Sequence, residues 1–319
     1  MSRIPHVGIV TVTYNSGSVI GPFLRSVEAQ SHGNRTLYII DNASKDDTLD
    51  RIGLPEDPRI VLVRNPTNRG IAAGNNQGIQ LAHRDQCSHV LLLNNDTEFG
   101  PDLLSGLLES MDTHDCDIIA PKMYFFDRPD RLWYAGGGFM RHHGFTTFSF
   151  GQGEVDRGQY DAARVVEFCP TCCSLVRMSV FETIGLMDET YFVYWDDIDF
   201  LYRALAAGLV TRYEPGLRLW HKVSSLTGGK QSDFSLYYGA RNKVYFLFKN
   251  RPFPEFLIYN LANYFYMVML TVSGSIPWSH FRTRQRGFLD GFRMAFALHA
   301  PSGAPRPLDR SRLEAPGQT

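Results

Sequence analysis

The chain offers no glycine cradle for phosphate. No G-x-G-x-x-G follows its first apolar run and no G-x-x-x-x-G-K-[ST] occurs, which removes a Rossmann dinucleotide fingerprint and a P-loop as ways of holding a nucleotide. Cysteine is scarce: five residues, an odd number without framework spacing, exclude a disulfide scaffold and fit a reducing compartment. Cys169-Pro-Thr-Cys172-Cys173 contains a C-x-x-C spacing, but no second Cys/His pair at zinc-site spacing accompanies it, so small buried residues are preferred to a metal or redox role. A basic segment followed by a long apolar run is missing at the start, which gives no signal-peptide pattern and the expectation of a cytoplasmic body. Net charge is almost absent as well, at −1. That balance conceals a polarity: Lys and Arg number 21 against 29 Asp and Glu over residues 1–240, and 11 against 4 over residues 241–319. The basic end lacks a nucleic-acid-binding fold signature, so no nucleic-acid partner is expected.

What is present is a long alternation of two periodicities. Val7–Val12 is apolar and β-branched and ends in Thr13-Tyr14-Asn15, and Val19–Ala29 then has helical spacing. Leu37–Ile40 leads into Asp41-Asn42-Ala43-Ser44, with Asp46 and Asp47 in the first turn of a short helix. Ile60–Val63 leads into Asn68-Arg69-Gly70 and a helix from about Ile71 to Ala82. The fourth unit, His89–Phe99, reads HVLLLNNDTEF: a short apolar run that stops at Asn94, Asn95 and Asp96. Such alternation predicts an α/β domain with a mostly parallel sheet flanked by helices. All four strand ends then share one edge, carrying Thr13, Tyr14, Asp41, Asn68, Gly70 and Asp96, where open sheets of this class hold ligands. An Asn/Asp turn without function is the plainer reading of residues 94–96.

Further along, residues 101–117 read as a helix and Asp117–Pro121 as a strand. Tyr124–Gly153, with Gly136-Gly137-Gly138 and His142-His143, suits irregular strands and a loop over the site. Glu167–Val176 reads as a strand, and Val180–Ile184 as a helical turn. In Tyr191-Phe192-Val193-Tyr194-Trp195-Asp196-Asp197-Ile198-Asp199, aromatics surround three carboxylates, and an acid in such surroundings has a raised pKa suited to a base. Alternatively Asp196 caps a helix over Asp197–Ala207. After Val210–Tyr213 and Leu217–Trp220 comes His221, a structural residue by default and a metal-ligand candidate only if it meets Asp96.

At these residues the chain resembles the family 2 glycosyltransferases with the GT-A fold, over roughly residues 5–245. Val12-Thr13-Tyr14-Asn15 resembles the family's first-strand signature and Ile40-Asp41-Asn42-Ala43-Ser44 its base loop. Asn68-Arg69-Gly70 with Gly74-Asn75-Asn76 looks like its third-strand crossover. Asn94-Asn95-Asp96 takes the place of its Asp-x-Asp metal motif, and Trp195-Asp196-Asp197 that of its acidic pair. Trp220-His221-Lys222-Val223-Ser224, followed by Tyr237-Tyr238 and Arg241-Asn242, is similar to bacterial rhamnosyltransferases of the family.

The resemblance implies inverting transfer of a sugar from a nucleotide diphosphate donor to a hydroxyl of a glycan or lipid-linked acceptor, with dTDP-rhamnose the favoured donor and cell-surface polysaccharide synthesis the setting. It implies that Asp41 accepts from the base, that Thr13, Tyr14, Asn68 and Gly70 shape the nucleoside pocket, and that Asn76 lies near the donor. Asn94 and Asn95 would face sugar or phosphate, and Asp96 with His221 would hold Mn²⁺ or Mg²⁺. Asp197 is the expected general base and Asp196 the runner-up, with Trp195 and Arg241 on the acceptor side. Asn94 and Asn95 depart from the family's carboxylates, which leaves metal independence open. A nucleotidyltransferase is the alternative enzyme, although Tyr14-Asn15-Ser16-Gly17 lacks the basic residue it would need. A noncatalytic sugar-nucleotide or membrane-binding module is the third class.

The expected organisation is a catalytic domain over 1–240, an aromatic and basic helical region over 241–300 and a disordered tail over 301–319. Phe253–Ile276 is apolar but borderline for a membrane span. Phe281, Phe288, Phe292 and Phe296 alternate with Arg282, Arg284, Arg286 and Arg293. Residues 253–296 therefore suit either the headgroup layer at the inner face of the plasma membrane or packing on the domain or in a homo-oligomer.

Overall fold

The computed structural model describes residues 4–53, 57–223 and 231–297. Its first β-branched run forms β1 (Val7–Thr13); α1 (Gly17–Glu28), with Val19, Ile20, Phe23 and Val27 buried, leads to β2 (Arg35–Asp41). The same step recurs through α2 (Thr48–Ile52) to β3 (Ile60–Arg64) and through α3 (Ile71–Arg84) to β4 (His89–Leu93). β1 pairs in parallel with β2 and β4, and β2 with β3, so the four polar strand ends do share an edge. β4 is buried along its whole length, which is why it reads as an unbroken apolar run.

The chain continues through β5 (Thr97–Phe99), α4 (Leu103–Thr113) and β6 (Ile118–Phe125), then β7 (Arg128–Tyr134), β8 (Gly137–Met140) and β9 (Thr146–Ser149). Next come β10 (Arg164–Val166), β11 (Cys173–Arg177), α5 (Met178–Ile184), α6 (Asp196–Ala206) and β12 (Thr211–His221). The main sheet runs β10-β12-β6-β11-β4-β1-β2-β3, with β5 added to β12 and β7 to β6, while β8 and β9 form a separate pair. β11 is antiparallel between β4 and β6. The architecture is the expected mostly parallel α/β sheet, extended by helices α7 (Asp233–Asn250), α8 (Phe253–Val272) and α9 (Trp278–Ala297).

Three local expectations are corrected. The strand expected over Glu167–Val176 begins only at Cys173, because Cys169-Pro170-Thr171-Cys172 turns at its proline, which has no N–H for a ladder. The strand expected to stop at Pro121 continues to Phe125, and the two strands expected at Val210–Tyr213 and Leu217–Trp220 are one. β12 is bulged between Glu214 and Arg218, which pair with Pro121 and Lys122, so the proline sits at the irregularity. α7 runs without a break across position 240, where the domain boundary was expected. Ser224 and residues 301–319 lie outside the described residues.

Candidate active site

Asp41 closes β2 beside Thr13, its register partner at the end of β1. Its buried carboxylate accepts from Thr13 Oγ1 (2.8 Å), from Ser44 Oγ (2.5 Å) and, on Oδ2, from the Ser44 backbone N–H (3.0 Å). Oδ2 keeps a further acceptor position for an N–H of a ligand base. The two neighbouring loops are tied together: the Asn15 N–H donates to Ser44 Oγ (2.9 Å), the Ser16 N–H to Thr48 Oγ1 (2.6 Å) and the Lys45 N–H to Asn15 Oδ1 (2.8 Å). Tyr14 stands at the rim, 42% exposed.

Gly70 joins this pocket to the aromatic segment. Its φ is 85°, and a Cβ there would lie 2.3 Å from the Phe192 carbonyl oxygen, so the position requires glycine. Asn68 Oδ1 accepts the Gly70 N–H (2.9 Å), Asn42 Nδ2 donates to the Gly70 carbonyl (2.9 Å), and the Ile71 N–H donates to the Phe192 carbonyl (2.7 Å). Asn76, expected near the donor, is engaged by the protein. Its amide donates to the Met187 carbonyl (2.9 Å) and Glu189 Oε1 (3.1 Å) and accepts the Met187 N–H (3.0 Å), so it braces α3 against the 187–189 segment.

At the end of β4, Asn94 is exposed and its N–H donates to the Cys172 carbonyl (2.8 Å). Asn95 is buried; its amide nitrogen lies 2.5 Å from the Val12 carbonyl, and its Oδ1 is buried without a hydrogen-bond partner among the described residues. The antiparallel pairing of β5 with β12 sets His221 opposite Thr97, which brings His221 Nε2 to 3.2 Å from Asp96 Oδ1. The condition for treating His221 as a ligand candidate is therefore met. Burial works against a charged His221, but contact with Cys172 and Asp96 outweighs it and pushes the imidazole up to about 10. Burial also raises the Cys172 thiol.

The family resemblance implies a divalent cation, and the donor set can be tested against it. Among the described residues no three His, Cys, Asp or Glu side chains group to hold a metal. One carboxylate, one imidazole that gives up its proton on binding, and a neighbouring orphaned amide oxygen nonetheless fit an Mn²⁺ or Mg²⁺ ion that takes its other ligands from substrate phosphate and water. The Trp133 ring meets His221 edge-on at 4.5 Å and restricts the imidazole.

The three carboxylates opening α6 divide by environment. Asp199 is fully buried and receives Arg203 (2.9 Å), Lys249 (3.0 Å), Asn250 (3.0 Å) and the Tyr191 hydroxyl (3.2 Å), making it a structural ion-pair centre. Asp196 is 4% exposed, and burial together with the Asp197 charge pushes its carboxyl well above the usual range. Asp197 is half-buried, accepts the Ile198 N–H (2.8 Å) and is raised less, chiefly by desolvation. The expected Asp196 cap does not form: Asp196 is the first helical residue, and Trp195 takes the cap position with no side-chain bond.

The loop before α6 is strained. Phe192 (φ 65°, ψ −55°), Tyr194 (φ 59°) and Trp195 (φ 68°) lie at positive φ, at a cost of order 1–3 kcal/mol each. α7 holds them there. The buried Asn242 amide nitrogen contacts the carbonyls of Tyr191 (2.9 Å), Val193 (2.7 Å) and Tyr194 (2.9 Å), and Arg241 donates to those of Thr190 (3.0 Å) and Tyr191 (2.7 Å). Two residues expected on the acceptor side have partners within the protein. Arg241 turns its guanidinium into this loop, and Trp195 is 7% exposed with its ring 5.3 Å from Phe246, so both support the acid loop from within. Asn242 entered the sequence reading only as part of the Arg241-Asn242 motif, and its hold on three loop carbonyls had no signal there.

All five cysteines are free and buried. Cys169 is raised chiefly by burial and further by the Asp197 charge, while Cys172 Sγ lies 3.7 Å from His221 Nδ1, so the Cys169–Cys172 turn adjoins the Asp96–His221 pair.

The model of the family described as Glycosyl transferase family 2 matches residues 8–185. An N-acetylglucosaminyl-diphospho-decaprenol L-rhamnosyltransferase of Mycobacterium tuberculosis is 24% identical over 265 residues, covering 75% of this chain and 82% of its own. A dTDP-rhamnosyl transferase RfbF of Shigella flexneri is 24% identical over 252 residues, covering 76% and 79%. Among solved structures, GalNAc-T7 with UDP, GalNAc and Mn²⁺ superposes with a TM-score of 0.62 at 15% identity, over 94% of this chain and 59% of that one. The Pyrobaculum calidifontis mannosyltransferase PcManGT, in complex with GDP-Man and Mn²⁺, gives 0.55 at 16% identity, over 93% and 87%.

Proposed function

Because the chain belongs to glycosyl transferase family 2, we propose that it transfers rhamnose from dTDP-rhamnose, with inversion, to a hydroxyl of a glycan or lipid-linked acceptor in cell-surface polysaccharide synthesis. The observation that carries this reading is the meeting of Asp96 and His221, 3.2 Å apart through β5 and β12, beyond the sheet edge where Asp41 is held by Thr13 and Ser44. The choice of sugar is supported by the two rhamnosyltransferase relatives.

In this reading Asp41 accepts from the base, and Thr13, Tyr14 and the Asn68–Gly70 loop border the nucleoside. Asn94 and Asn95 stand beside the diphosphate, and Asp96 and His221 would hold Mn²⁺ or Mg²⁺ there. Such an ion offsets charge on the departing diphosphate. Asp197 takes the proton of the acceptor hydroxyl as its oxygen bonds to the anomeric carbon and the bond to the diphosphate breaks. Asp196, more deeply buried, stays protonated beside it. Asn242 and Arg241 keep the loop that delivers Asp197 in its strained form.

A panel of nucleotide sugars assayed for nucleoside diphosphate release, with Mn²⁺, Mg²⁺ or EDTA, tests the proposal. Release from dTDP-rhamnose above all other donors is expected. Preference for another donor would remove rhamnose, and absence of release from every donor would remove transfer.

A further inference from the structure

α8 and α9 form a hairpin whose outer surface is unusually apolar. Ile258, Leu261, Phe265, Met269 and Val272 recur at helical spacing on one stripe of α8, and each is more than half exposed, as is the adjacent Tyr266. The opposite side of the helix, with Phe256, Asn260 and Met267, is buried against the protein. At the tip Trp278 is 59% exposed, stacks on Phe281 at 5.0 Å, and carries the Arg282 guanidinium 5.9 Å from its ring. Residues 256–289 contain Arg282, Arg284 and Arg286 and no acidic residue. A large apolar stripe bordered by an aromatic and a purely cationic set is complementary to an anionic lipid interface.

The direction of the hairpin relates this surface to the acid loop. α9 runs parallel to α7: Thr283 Oγ1 donates to Asp233 (2.9 Å) at the start of α7, and Tyr237 donates to Asp290 (3.0 Å). Gly287 and Gly291 permit the close packing, since a Cβ at either would lie 2.3 Å from the Tyr237 carbonyl or 2.6 Å from that of Arg241. The tip therefore emerges at the Asp233 end of α7, the end from which Ser235 bonds the Tyr194 hydroxyl of the acid loop (2.8 Å). Among the described residues no helix is long and apolar enough to cross a membrane.

We propose that the hairpin docks on the surface of an anionic bilayer, with the α8 stripe and Trp278 in the interfacial layer and the three arginines against lipid phosphates. The acid loop then faces the surface and an acceptor carried on a lipid. That last clause rests on the transfer reading; the docking does not.

The test uses the full chain with vesicles of phosphatidylcholine alone or mixed with phosphatidylglycerol, read by co-sedimentation. Binding to the mixed vesicles is expected, weakened more than about tenfold in F265S/M269S and about fivefold per arginine in R282E/R286E, with thermal melting unchanged. Absence of wild-type binding, or binding that neither variant weakens, overturns the proposal. A wild-type dimer in light scattering that ignores vesicles and dissociates in F265S/M269S assigns the stripe to a second copy instead. Donor hydrolysis in the same samples reads the transfer proposal separately.

Discussion

Asp41 and Asp197 are both carboxylates at the start of a loop or helix, but their surroundings differ. Three donors take up most of the acceptor positions of Asp41 and fix the direction of its carboxylate. Asp197 has one backbone donor and a buried carboxyl neighbour, and burial raises it. The first arrangement suits recognition, and the second suits the proton transfer proposed for it. The difference lies in the number of donors and the depth of burial, not in residue type.

Several measurements would break or sharpen this contrast, beginning with the largest effect. Asp197→Asn should lower the transfer rate by about 10²–10⁴ with donor binding kept; an unchanged rate would leave both carboxylates in recognition. Asn242→Ala, which removes the amide holding three loop carbonyls, should lower kcat by about tenfold to a hundredfold while donor KM stays near wild type, and a change confined to melting temperature would make that amide structural only. Asp41→Asn should act oppositely, raising donor KM by about tenfold with a smaller effect on kcat, as read in donor titrations. The pH profile of kcat/KM should rise through a value above the ordinary carboxylate range, because the base works ionised and its pKa is raised.

The smallest effect concerns Asp196 and stability. Its folded pKa lies above its unfolded value, so its contribution is fully present below about pH 4 and is lost as pH rises through the folded value. Asp196→Asn should therefore raise the melting temperature by about 2–4 °C at neutral pH and have no such benefit in acid. A melting series across pH checks both halves.

The alternation of Val7–Val12, Leu37–Ile40, Ile60–Val63 and Val90–Leu93 with helical stretches made the parallel half of the sheet legible, since burial on both faces leaves an apolar run. The insertion of β11 antiparallel between β4 and β6 was not legible, because local periodicity says nothing about pairing partners. At the site, Asp41, Asp96 and His221 could be chosen from strand ends, and the structure joins the last two through β5 and β12. Asn76, Trp195 and Arg241 were placed by motif alone; the partner of an amide or guanidinium is a matter of three-dimensional contact, and all three turn toward the protein. The hold of Asn242 on a strained loop arises the same way, from residues about fifty positions apart.

The bulge of β12 between Glu214 and Arg218 makes the meeting of Asp96 and His221 a matter of odd and even numbers. Thr211 and Tyr213 before it, and Leu219 and His221 after it, are all buried, so the interruption preserves the alternation of the strand. Were the loss of one residue there carried into the ladder as a one-place shift of register, every later side chain would exchange faces. Trp220 or Lys222 would then arrive where the imidazole now stands. A single-residue deletion far along the chain from Asp96 would thus remove its partner as completely as replacing His221 itself.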